Sequence, residues 1–161
     1  MKVMYYCGLV AALLWGFKST AQEKSDEKDA VEKALTAQEY IFNARTALPQ
    51  RGRSVFLDTD YDLTVSKDSV VAYLPYFGRA YTAPLGSGRD GIQFTSTDFE
   101  YSAEKKKNRW NIKIRPKDVP EVQELYLSVS AGGSGTLQVN SMNRQTISFN
   151  GDLEPRTEVK Q

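Results

Sequence analysis

From residue 54 to residue 149 the apolar side chains of this chain recur at every second position, in short runs broken by turn residues. The runs are Ser54–Leu57, Tyr61–Val65, Val70–Leu74, Ile92–Thr95, Phe99–Ser102, Trp110–Ile114, Leu125–Val129, Thr136–Val139 and Thr146–Phe149. A period of two places alternate side chains on opposite faces of a strand, so one face packs on a core and the other meets water. Ser66–Ser69 reads as a hairpin turn, Lys105–Asn108 as a polar turn into Trp110, and Ala131–Gly135 as a glycine-rich link. Pro116 and Asn150-Gly151 close two further runs. Short strands with turns roughly every eight to twelve residues predict a mainly β chain. The expected fold is an antiparallel β-sandwich or flattened barrel of about 8–10 short strands with one short N-terminal α-helix.

The helix is expected over 26–37, where Ala30, Val31, Ala34, Leu35 and Gln38 recur at three- and four-residue spacings. Ser25 or Asp26 would cap it, and Glu27 and Asp29 suit its first turn. Tyr40, Phe42, Ala44 and Thr46 then alternate with Ile41, Asn43 and Arg45, a first strand ending at Leu48-Pro49, although Ala44–Leu48 tolerates either state. Ahead of the helix, Met1-Lys2 is basic, Val3–Phe17 is apolar, and Ser19-Thr20-Ala21 offers small residues for a cut after Ala21. This is the layout of a cleaved secretory signal, and the apolar run falls short of a membrane span. The expected organisation is a signal at 1–21, a charged leader and helix at 22–37, a single β domain at 38–153, and a polar tail at 154–161.

Loss of Lys2 and Lys18 with the leader turns the formal net charge from +1 to −1, a balance that steers the chain toward neither nucleic acid nor an anionic membrane face. The only cysteine, Cys7, lies inside the leader and too early for a lipid anchor. An exported chain without disulfides fits a Gram-negative envelope, in the periplasm or outside the cell. There is no histidine, which removes Ser-His-Asp and Cys-His catalysis and imidazole zinc sites. No cofactor is expected.

Four stretches could carry chemistry. Gly86-Ser87-Gly88-Arg89-Asp90-Gly91 has the letters of a phosphate loop, but a strand pattern follows it where a helix N-terminus is needed. Asp58, Asp60 and Asp62 alternate, so a strand would set three carboxylates on one face, for a loose cation site or a glycosidase pair. The same charges equally suit a solvated edge that resists strand pairing. Lys105-Lys106-Lys107 with Arg109 and Trp110 reads as a hairpin tip with Trp110 turned inward, or as a contact for anionic glycolipid. Asp68-Ser69-Val70 matches a three-residue O-glycosylation signal, with Ser69 in a turn.

The segment "YLPYFGRAY" at 73–81 concentrates four rings, a proline, a glycine and an arginine. Pro75 predicts a bend or edge position, and Gly78 a turn. Beyond them Tyr76, Arg79 and Tyr81 could rim a shallow platform, with Arg144 joining from beside Asn143 and Gln145. Together with "GIQF" at 91–94, "WNIKI" at 110–114, "LYLSVSAGGSGTLQV" at 125–139 and "NRQTISFNGDL" at 143–153, this segment resembles a family of small exported bacterial proteins, catalogued as domain of unknown function 4251. The resemblance covers most of 38–153. It implies export, a β-rich domain and an N-terminal lead-in, and it brings no activity, ligand or catalytic residue. The functional expectation is an exported, non-enzymatic binding or interaction module, its partner a glycan or envelope component and not nucleic acid. A carboxylate-dependent hydrolase of a glycan or envelope polymer using Asp58, Asp60 or Asp62, and a structural envelope component, are the alternatives.

Overall fold

A computed structural model describes residues 19–77 and 91–156, apart from the side chains of 19–25 and 59. One helix, α1 (Ser19–Ala37), precedes nine strands. These are β1 (Tyr40–Pro49), β2 (Val55–Val65), β3 (Val70–Pro75), β4 (Gly91–Ser96), β5 (Phe99–Lys106), β6 (Arg109–Pro116), β7 (Val122–Ser130), β8 (Ser134–Ser141) and β9 (Ile147–Pro155).

The nine strands form one sheet in the order β4-β3-β2-β1-β9-β8-β7-β6-β5, and every neighbouring pair is antiparallel. Eight reversals bring the direction back to where it began, so the two edge strands, β4 and β5, run the same way. They are also consecutive in the chain, with only Thr97 and Asp98 between them. Residues 91–106 therefore act as one long strand that pairs with β3 first and, after a corner, with β6. The corner nearly closes the sheet into a barrel.

Asp118 holds that corner. Its carboxylate accepts hydrogen bonds from the backbone N–H groups of Thr97 (2.8 Å) and Asp98 (3.2 Å) and from the Ser96 hydroxyl. The Lys117 N–H in turn reaches the Asp98 carbonyl at 2.8 Å. The Ser96 hydroxyl and the two backbone donors stabilise the ionised form, and the carboxyl titrates at about 2. A depressed value stabilises the fold above the ordinary carboxylate range, and the contribution disappears as pH falls through about 2. We expect Asp118→Asn to lower the melting temperature at pH 6, and the gap to wild type to shrink between pH 4 and pH 2. A gap that stays constant across that range would remove Asp118 from this role.

The inner face carries the core. Tyr40, Phe42 and Ala44 from β1 meet Leu63 and Val65 from β2, Ile112 and Ile114 from β6, Leu125, Leu127 and Val129 from β7, and Phe149 and Leu153 from β9. An extra residue in β1, Arg45, shifts its register against β9 between Ala44 and Thr46. The bulge reverses which positions face inward, so Ala47 is buried where strict alternation from Tyr40 would bury Thr46. Directly opposite, Gly151 pairs with Ala44 and also with Gly135 on β8. The Phe42 ring lies against this glycine pair: a Cβ at Gly151 would sit 3.0 Å from Phe42 Cζ, and one at Gly135 would sit 3.5 Å from Phe42 Cε2.

The helix caps one end of the barrel with Val31, Ala34 and Leu35, the apolar positions that predicted it. It starts at Ser19, earlier than the expected 26, and takes in the charged leader. Its end is a Schellman motif: Glu39 N–H bonds the Ala34 carbonyl at 3.0 Å, and Gln38, at φ 56°, bonds Leu35 at 3.3 Å. The Tyr101 hydroxyl donates to the Leu35 carbonyl at 3.3 Å, and Lys105 Nζ lies 2.7 Å from both carboxylate oxygens of Glu32. The Tyr40 hydroxyl is buried beside Tyr101, and burial pushes both phenols' pKa values up.

Two boundaries differ from expectation. The runs at Ser54–Leu57 and Tyr61–Val65 are one strand, β2, since Tyr61 pairs with Ala44 and Phe56 with Thr46 while the residues between swing out opposite the bulge. Asn150-Gly151 does not end the last strand, which continues to Pro155, so Glu154 and Pro155 belong to β9 and not to a tail. Finally, β3 buries one face only: Val70, Ala72 and Leu74 are inside while Val71 and Tyr73 are exposed, until the alternation breaks at buried Pro75.

Candidate functional site

At the barrel end opposite α1, the chain leaves β3 after Pro75 and β9 begins at Ile147. Tyr76 and Arg144 meet there, although they are distant in sequence. The Arg144 guanidinium carbon lies 4.9 Å from the centroid of the Tyr76 ring, and its Nη1 donates to the Gly91 carbonyl at 3.1 Å. The Tyr76 hydroxyl donates to the Gln145 carbonyl at 3.2 Å, which fixes the ring from its far edge. Both side chains are half-buried. A guanidinium over an aromatic face contributes about 0.5–2 kcal/mol according to how far it is desolvated.

Local sequence explains the meeting. Pro75 pairs with Gly91 at the last rung of the β3–β4 ladder. A Cβ at Gly91 would approach the Leu74 carbonyl oxygen to 2.7 Å, so this close rung admits only glycine. The last glycine of the phosphate-loop letters is thus accounted for by strand packing. A strand follows it, as expected; Gly86–Asp90 lie outside the described residues. From the other side, Thr146 Oγ1 and Gln138 Nε2 both donate to Asn140 Oδ1, at 3.1 and 3.0 Å, which ties the β8–β9 connection that carries Arg144.

Of the four residues expected to rim a platform, Tyr76 and Arg144 come together, and Arg79 and Tyr81 lie outside the described residues. Asp58 and Asp60 are exposed on the outward swing of β2. Asp62 lies back on the ladder, half-buried, and accepts the Thr64 hydroxyl at 2.7 Å. Among the described residues no three His, Cys, Asp or Glu side chains come close enough together to hold a metal ion. The Ser69 hydroxyl lies 2.7 Å from that of Ser66, inside the turn between β2 and β3. Trp110 is half-buried against the core with the Lys105 ammonium 5.5 Å from its ring centroid. The Tyr61 and Tyr73 rings stack at 5.4 Å across the β2–β3 hairpin.

No helix among the described residues is long and apolar enough to cross a membrane. The family model for a domain of unknown function, DUF4251, matches residues 22–153. The chain belongs to that family. Among solved structures it is similar to the crystal structure of a DUF4251 family protein from Bacteroides eggerthii DSM 20697, at 17% identity and a TM-score of 0.57. That match covers 83% of this chain and 91% of the other. No curated protein matches the chain.

Proposed function

We propose that this protein is an exported, non-enzymatic binding module of the bacterial envelope, with a ligand contact at the Tyr76–Arg144 end of the barrel. The observation that carries the reading is the guanidinium laid over the Tyr76 ring and anchored by one N–H to Gly91. One N–H is engaged and others remain in a fixed fork, beside an aromatic surface, which suits a ligand with both a polar group and an apolar face. Export rests on the sequence layout of residues 1–21. Asp58 and Asp60 stand exposed, apart from Asp62 on the ladder, an arrangement that favours binding over carboxylate-pair hydrolysis.

A thermal-shift screen with glycans, bile salts and peptidoglycan fragments tests this reading, since a ligand of the native state raises the melting temperature by mass action. The expected result is a shift in wild type that disappears in Arg144→Ala and is partly kept in Arg144→Lys. The variant itself should lose only about 1 kcal/mol, the worth of one cation–π contact and one hydrogen bond. A loss of several kcal/mol together with no responding ligand would make the pair purely structural.

A further inference from the structure

A second surface lies at the helix-capped end. Between α1, the β5–β6 turn and the β7–β8 turn is a depression of about 550 Å³, rimmed by Lys28, Lys106, Lys107 and Arg109. Another of about 470 Å³ runs across the outer faces of β7, β8 and β9 to Arg45. Arg109 and Ser130 line both, so the two join into one groove.

The cations of this groove are poorly neutralised. Lys106 lies 3.1 Å from Glu104 and Arg45 lies 4.0 Å from Asp152. Lys28, Lys107 and Arg109 have no ion-pair partner among the described residues. Lys28 lies on this rim with α1 seated by buried Val31, Ala34 and Leu35, and the Glu32–Lys105 ion pair spans the helix and the hairpin one helical turn further on. Lys107 sits in a two-residue turn between paired Lys106 and Arg109, at φ 56°. Glycine or asparagine is the usual residue at such a left-handed position, and backbone strain of this kind gathers at ligand sites. Here the strain holds an ammonium group on the rim.

The outer faces of β7, β8 and β9 add hydroxyls and amides, with Asp152 the one carboxylate lining the two depressions among the described residues. Thr136 Oγ1 donates to Asn150 Oδ1 at 2.9 Å, Ser134 Oγ to Asp152 at 3.1 Å, and Ser128 Oγ to Asn111 at 3.2 Å. Rows of hydroxyls and amides keep further donors and acceptors for a ligand. No aromatic ring lines either depression among the described residues, so nothing there stacks on a nucleobase.

We propose that this groove binds an anionic oligosaccharide. Its ring hydroxyls bond the Ser–Thr–Asn rows, and its carboxylate, sulfate or phosphate groups sit on Lys28, Lys107 and Arg109, with the arginine fork gripping two oxygens at once. The site is separate from the Tyr76–Arg144 contact.

Fluorescence anisotropy of a labelled chondroitin sulfate hexasaccharide tests the assignment. Binding is expected, with Kd rising roughly twentyfold from 50 to 200 mM NaCl, as neutralising about three charges on a flexible chain requires. A neutral dextran oligomer should not compete. Lys107→Gly should weaken binding at least about threefold while the melting temperature stays level or rises, because glycine relieves the left-handed backbone. Gly132→Tyr should abolish binding without unfolding the protein, since a Cβ there meets nothing within 4 Å and the ring enters the first depression. Absent binding, or an unchanged Kd in both variants, overturns the proposal. So does displacement by inorganic phosphate at equal charge concentration, or by a single-stranded oligonucleotide as effectively as by the saccharide.

Discussion

Gly151→Ala is expected to cost about 3 kcal/mol, the upper end of what overpacking a core does. The new methyl group would fall on the Asn43 carbonyl oxygen and 3.0 Å from Phe42 Cζ. The first of these is backbone in the β1–β9 ladder, so no side-chain rotation relieves it. Its paired neighbour behaves differently. A Cβ at Gly135 meets the Ser128 carbonyl at 2.9 Å, Val129 Cγ2 at 3.2 Å and the Phe42 ring at 3.5 Å, and two of these three are side chains that can give. Gly135→Ala should therefore cost less. Urea denaturation with an unchanged m-value would measure both. Equal stabilities for Gly151→Ala and wild type would mean that the bulge at Arg45 yields freely.

Phe42→Ala is the second large effect, about 3–5 kcal/mol as for other buried aromatic truncations. The ring is fully buried and rests on the only adjacent pair of glycines in the sheet ladders of the described residues. Trimming it should leave a void that the two glycines cannot fill. Combining Phe42→Leu with Gly135→Ala should cost less than the sum of the two changes, because the shorter side chain vacates space beside Gly135. Combining it with Gly151→Ala should give no such relief, since the clash with Asn43 remains. Denaturation midpoints of the three single and two double variants decide this; strictly additive losses would separate Phe42 from the glycine pair.

The strands were legible because one face of each is wet. Val70, Ala72 and Leu74 or Leu125, Leu127 and Val129 alternate with polar or exposed residues, and the structure buries these very sets. The helix was legible from Val31, Ala34 and Leu35 for the same reason at a different period. Where reading failed, a residue's local signal and its tertiary use diverged. Asn150-Gly151 has hairpin-turn chemistry, yet Gly151 is there to let Phe42 and Asn43 approach. In β2 four residues, 57–60, stand opposite the single Arg45 of β1, so "DTDYD" marks an irregularity within one strand and reads locally as a break between two. Asp118 was passed over altogether, since a lone exposed aspartate after a lysine gives no hint that it will hold the Ser96–Asp98 corner.

The candidate sites show the same limit. Tyr76 and Arg144 were grouped on residue type as parts of one platform, but only the fold lays the guanidinium over the ring. The basic hairpin was visible as Lys105–Arg109, but Lys28 joins it only because α1 seats Val31, Ala34 and Leu35 on the barrel and turns Lys28 toward the hairpin. Charge on two elements becomes one surface only when their packing is known.

The adjacency of β1 and β9 governs how such a chain can come into being. Strands β1 to β4 and β5 to β8 are two meanders of local hairpins, and apart from the corner at Thr97–Asp98 it is β9 that binds one to the other. A ribosome delivers β9 last. Until it arrives, the two meanders share no ladder, and the sheet can be joined only by bringing Leu153 of the last strand back beside Phe42 of the first, a long-range pairing at the middle of the sheet. Synthesis of this barrel is finished before its folding can be.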